Sequence, residues 1–204
     1  MELSDLKLEH SLENKDKILS LENSIKEKLL FDLLEEISND KNSSSYRECV
    51  TLKMMGFTQS EKKLGYDTEE LPIEVKPKNI TRLSKNKFDG SGNFSDFTWA
   101  RHKKYSSDDV TMIVSGFYEG KILFLISFLY NSPEFVENIE KKLKTQLPNG
   151  DIKNRYVRSL QFTYKNYQNS DSFKIEYLSP NISLYNEKFN KLFIKLLIDN
   201  GSKK

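Results

Sequence analysis

The sequence predicts a single α/β domain of the α+β kind, with a mixed central β-sheet flanked by helices. Three observations carry this. A long apolar stripe at helical spacing lies near the start. Two adjacent β-rich runs joined by Glu119-Gly120 lie in the middle. A proline-initiated amphipathic segment follows them. The 204 residues suffice for one sizeable core and are few for two.

Ile18, Leu21, Ile25, Leu29, Leu33 and Ile37 recur every three or four residues, with Leu30 and Leu34 widening the stripe. This spacing predicts an amphipathic helix ending near Ser38-Asn39-Asp40. The charged residues before it, Met1 to Lys17, read as a separate short helix or a loose arm, and Asn42 to Ser45 as a loop. Tyr46 to Phe57 fits either a short helix or a strand leading to Gly56. Lys62 to Asp67 and Leu71 to Lys78 read as two short strands around a Thr68-Glu69-Glu70 turn, with Pro72 at the start of the second, where a missing donor is tolerated. Asn79 to Asn93 has no apolar period. Phe94 to Tyr105 reads as the start of a short helix capped by Ser95.

Val110–Tyr118 and Lys121–Tyr130 are the clearest strand pair. The continuous run Ile122 to Ile126 predicts a strand buried on both faces. Ser132-Pro133-Glu134 opens a helix carrying Phe135, Val136, Ile139 and Leu143, which stops before Pro148-Asn149-Gly150. Arg155–Tyr164 and Phe173–Leu178 read as a late hairpin. A terminal helix over about Leu184 to Ile198 turns Phe189, Leu192, Phe193, Leu196 and Leu197 inward.

Charged residues make up 30% of the chain and mean hydropathy is −0.64. No apolar run is long enough to span a bilayer, and the acidic start lacks a secretory signal's basic and apolar regions. The single cysteine, Cys49, excludes an internal disulfide framework and a multi-cysteine zinc site. It fits a reducing compartment, so the expected location is cytoplasmic. There is no Gly-rich phosphate loop with lysine, no Gly-x-Ser-x-Gly and no His-Glu-x-x-His. The net charge of +2 is unevenly spread. Lys76 to Lys104 holds six lysines and two arginines against Asp89 and Asp96, or +6, which leaves −4 for the rest. Such concentration is the footprint of a nucleic-acid-contacting surface.

The chemistry-bearing set is Asp67, Glu74 and Lys76: an acid, six residues, an acid, one residue, a lysine. On a strand, Glu74 and Lys76 share one face about 7 Å apart and Val75 points into a core. Two carboxylates able to share a hard cation, beside an ammonium, suit attack on a phosphodiester.

This order resembles the PD-(D/E)xK nuclease superfamily, and within it the type II restriction endonucleases. The predicted element order over about residues 18–147 is similar to that family's α–β–β–β–α–β core, with the late hairpin and helix at about 153–199 appended. Tyr66 stands where the motif's proline would precede the first acid, a proline the family often lacks. The resemblance implies a restriction-endonuclease-like core and magnesium-dependent hydrolysis of double-stranded DNA, with Mn2+ able to substitute for Mg2+. It makes Asp67 and Glu74 metal ligands and Lys76 the residue that positions or activates the attacking water. The Val75 carbonyl completes the shell, and an acid among Glu35, Glu36 and Glu48 is available to join it. A chain of this length rarely reads a whole site alone, so a twofold homodimer on a palindrome is expected, and the lack of a spanning apolar run makes no membrane association expected.

Candidate DNA contacts follow from the basic segment: Lys78, Asn79, Arg82, Asn93, Ser95, Arg101, His102, Lys103 and Lys104. Asn93, Ser95 and Arg101 have side chains able to read base edges, with Arg101, whose planar fork matches guanine, the foremost expected base reader, and Lys103 and Lys104 the expected phosphate contacts. Asn154 and Arg158 are further DNA candidates from the later hairpin. The competing readings are a structure-selective nuclease of the same fold, such as a junction resolvase, and a non-catalytic DNA-binding module.

Overall fold

The structure is a computed structural model that describes residues 43–61, 65–81, 87–152 and 155–201, together with Lys28 and Ile37. The expected first helix and N-terminal arm therefore lie outside the described residues almost entirely, as do Arg82, Lys153 and Asn154.

The first continuous described segment carries helix α1 (Ser44–Met54), so the helix alternative holds for this stretch. Its Arg47, Thr51 and Leu52 are buried, and Thr51 Oγ1 meets Ser115 Oγ at 2.8 Å, tying the helix to the sheet. Among the described residues the main sheet has four strands: β1 (Ile73–Asn79), β3 (Thr111–Tyr118), β4 (Lys121–Leu129) and β6 (Lys174–Leu178), in the order β1-β3-β4-β6. β1 runs parallel to β3, and the other two pairings are antiparallel, so the sheet is mixed. β3 and β4 form the expected hairpin, and Glu119 and Gly120 at its turn take φ of 46° and 73°, the primed-turn geometry that matches strand twist.

The other elements are α2 (Trp99–Ser107), α3 (Pro133–Gln146), α4 (Lys191–Gly201) and a separate antiparallel ribbon of β2 (Gly92–Phe97) and β5 (Val157–Phe162). The result is an α+β fold, a mixed sheet flanked by helices. One face of the sheet carries Met112, Val114 and Phe124 into a large aromatic core under the ribbon and α2–α4. The opposite face carries Ile73, Val75, Ile113 and Leu125 into a smaller core with Leu52 of α1.

Four expectations are corrected. Of the expected strand Lys62 to Asp67, Lys62 to Leu64 lie outside the described residues and Gly65 to Asp67 is not a strand, so among the described residues β1 has no hairpin partner there. The backbone N–H of Asp67 reaches Ile73 O at 2.9 Å, and the next donor along, Val75 N–H, goes to the Asp67 side chain at 2.6 Å. The carboxylate takes the place of the carbonyl a partner strand would offer. Second, Phe94 to Phe97 is strand, and α2 begins later, with Thr98 rather than Ser95 accepting from Arg101 N. Asp96 adopts a left-handed φ of 51°, which interrupts the two-residue alternation and returns Phe97 to the core. That irregularity hides the strand in the sequence.

Third, the last two strands do not form a hairpin: β5 pairs with β2 and β6 with β4. Fourth, the terminal helix starts at Lys191 after a 3₁₀ segment, Ile182–Lys188. Leu192 points outward at 62% exposure, while Phe189, Phe193 and Leu197 are buried. No helix among the described residues is long and apolar enough to cross a membrane.

Candidate active site

β1 positions the site by simple alternation. Ile73 and Val75 face the smaller core, which leaves Glu74 and Lys76 on the opposite face, under α2 and the ribbon. Lys76 Nζ donates to Glu74 Oε1 and lies 5.1 Å from the centre of the Phe94 ring. Glu74 is only 3% exposed, so its charge must be matched locally. Arg101 Nη2 donates to Oε1 at 3.1 Å, and the Tyr105 hydroxyl donates to Oε2. Arg101 also donates to the Tyr105 oxygen, from Nη2 at 2.6 Å and Nε at 2.9 Å. Arg101 and Tyr105 stand one helical turn apart on α2, so both reach the same carboxylate. Burial alone would push the Glu74 carboxyl up. Lys76 and Arg101 outweigh it and hold Glu74 below the usual carboxylate range.

Asp67 arrives from the loop before β1. The Val75 N–H fixes its carboxylate beside the strand. Burial, and then the charge of Glu74, push Asp67 up to about 7, against the pull of the Val75 N–H and Lys76. Of the three candidate acids, Glu35 and Glu36 lie outside the described residues, and Glu48 of α1 lies close enough to feel Lys76 and Glu74. It is raised by burial, lowered by Lys76 and raised by Glu74. The three acids thus sense one another's charge, with Lys76 among them. Glu48 sits one turn before Leu52 on α1. Its position is readable from sequence only once Tyr46 to Phe57 is known to be helical.

Beside these residues lies a cleft of about 310 Å3, walled by Glu48, Val75, Lys76 and Lys78 on one side and by Asn93, Ser95 and Gln161 of the ribbon on the other. Gly92 closes its ribbon end, where a Cβ would stand 2.2 Å from the Phe162 ring.

The structure distributes the expected DNA contacts unevenly. Lys78, Asn93 and Ser95 line the cleft, and Lys103 and Lys104 are exposed on α2. Lys104 Nζ lies 4.8 Å from the Tyr66 ring centre. Asn79 turns its Oδ1 to the Thr81 N–H at 3.1 Å. Arg101 is folded onto Glu74 and also donates to Ser95 O at 3.3 Å, so its fork is directed into the protein rather than outward to a base. His102 is 4% exposed, with Nδ1 2.8 Å from the Tyr130 hydroxyl and Nε2 3.5 Å from Glu140 Oε1. Burial holds it below the usual histidine range. In this structure it is a packing residue between α2 and α3, shielded from any phosphate. Tyr105 and Gln161 carry no functional signal in the sequence, where one reads as a core aromatic and the other as a surface polar residue.

Among the described residues no three acidic, histidine or cysteine side chains form a ready metal cluster. The donor chemistry nevertheless fits a hard divalent ion at the Asp67–Glu74 pair. The side chains offered are oxygen ligands, and the burial and then the Glu74 charge that raise Asp67 are both costs that a bound cation would offset. In comparisons with known proteins, the chain matches no family model and no curated sequence.

Proposed function

We propose that this protein is a magnesium-dependent endonuclease that hydrolyses double-stranded DNA at a specific site, in the manner of a type II restriction endonuclease of the PD-(D/E)xK superfamily. The observation that carries the reading is the convergence of Asp67, Glu74 and Lys76, with the Asp67 carboxylate held on the Val75 N–H. Asp67, Glu74 and the Val75 carbonyl would hold the ion, with Glu48 alongside. Magnesium, or manganese in its place, would supply Lewis-acid polarisation of the phosphodiester and a more acidic bound water.

The protein's own residues do the rest. Arg101 and Tyr105 keep Glu74 oriented and ionised. Lys76 presents an ammonium where the attacking water and the growing phosphate charge need one. Lys78, Lys103 and Lys104 contact phosphates of the duplex. A twofold homodimer on a palindrome, working in the cytoplasm, completes the proposal.

Incubation with long unmethylated linear DNA tests it. The expected result is fixed ends with magnesium or manganese, and binding without cutting in calcium. Full cleavage in excess chelator overturns the metal assignment. Cutting confined to four-way junctions favours a resolvase, and binding without cutting under every metal favours a non-catalytic module.

A further inference from the structure

We infer that the β2–β5 ribbon is the element that reads base edges, with Gln161 and Asn93 as an adenine-recognising pair. This deepens the nuclease reading and rests on it. The register sets Asn93 opposite Gln161 and Ser95 opposite Ser159. All four are exposed on the ribbon's outer face, while Phe94, Leu160 and Phe162 bury the inner face in the aromatic core. The reading face is therefore polar and rigidly backed. Both amides and Ser95 line the cleft that also contains Glu48 and Lys76, so a duplex engaged by the ribbon brings its backbone to the carboxylates.

A two-stranded β-ribbon fits the major groove, where adenine offers its N7 acceptor and N6 donor to the paired donor and acceptor of an Asn or Gln amide. The Ser159 hydroxyl donates to Asn93 Oδ1 at 2.7 Å, which fixes the amide's orientation and leaves its NH2 group and a second oxygen lone pair for a base. Lys142 Nζ donates to the Gln161 backbone carbonyl, anchoring the strand from α3. The Gln161 side chain makes no hydrogen bond among the described residues. Arg158, exposed on the same strand, supplies a cation at the ribbon's other end. The ribbon, rather than Arg101, is thus the polar surface free to meet bases.

The test selects bound sequences from a pool of short duplexes randomised at their centres, with calcium in place of magnesium. The wild-type protein should enrich a sequence with adenine at fixed positions. Gln161→Ala and Asn93→Ala should each relax one such position by about tenfold or more and keep the preference elsewhere. Gln161→Glu, nearly isosteric but without the amide donor, should relax the same position as Gln161→Ala. An unchanged preference in these variants, or a wild-type preference for no adenine or no sequence at all, overturns the inference. Cleavage of the selected duplex with magnesium separates the two claims. Enrichment lost at one position in the variants, with no cutting by the wild type, sinks the nuclease and leaves the ribbon standing. Cutting at a site that Gln161→Ala and Asn93→Ala read as the wild type does sinks the ribbon and leaves the nuclease.

Discussion

Arg101 of α2 and Glu74 of β1, 27 residues apart in the chain, meet at 3.1 Å beneath the ribbon. The guanidinium packs 5.0 Å from the centre of the Tyr105 ring, and that tyrosine's hydroxyl holds the carboxylate's other oxygen. A buried carboxylate without such partners would protonate or unfold its surroundings.

Arg101→Ala should therefore act on Glu74 and not on sequence choice. The expected loss is about 2–3 kcal/mol of stability, because Lys76 and Tyr105 still serve the buried charge. Cleavage should fall sharply, while discrimination between the cognate and random duplexes is kept. Denaturant titration and competitive binding check this. A loss confined to the cognate duplex would return Arg101 to base reading.

Asp67 sets a pH dependence. Its folded-state carboxyl is pushed up to about 7, so the native state binds more protons than the unfolded chain between the ordinary carboxylate range and about pH 7. Stability from this group is present at low pH and is lost as pH rises through that window. Asp67→Asn should accordingly melt a few degrees higher than the wild type at pH 8 and match it near pH 4. The same variant should not cleave. In the wild type, cleavage should rise with pH through about 7, and higher magnesium should move the inflexion downward by competing with the proton. A flat profile between pH 6 and 8 would contradict the assignment.

Lys76→Ala should lose cleavage by several orders of magnitude yet bind duplex in calcium nearly as before, since the ammonium sits on Glu74 at the edge of the cleft. Cutting within about tenfold of wild type, about 1.4 kcal/mol of barrier, would remove it from the chemistry.

His102→Ala should cost about 2–4 kcal/mol through the lost Tyr130 hydrogen bond and the cavity left between α2 and α3. The salt dependence of DNA binding should not change. A phosphate contact at His102 would instead reduce the slope of log K against log salt. Differential scanning and salt titrations separate the two outcomes.

The sequence by itself determined what periodicity and turn chemistry encode. The β3–β4 hairpin follows from two apolar runs around Glu119-Gly120, and α3 from Ser132-Pro133 and its apolar stripe. Alternation along Ile73-Glu74-Val75-Lys76 was enough to put Glu74 and Lys76 on one face with Val75 buried opposite. The tertiary structure decided what depends on distant partners. β2 became a strand because β5, over sixty residues later, pairs with it, and the left-handed Asp96 breaks the alternation that would have announced it. Asp67 reached the site from a loop because its side chain, not a strand, satisfies Val75 N–H. Arg101 and His102 turned inward because Glu74 and Tyr130 are buried there and need partners. Local spacing says nothing about which buried charge lies under the next helix, and desolvation makes that charge decide where the cation goes.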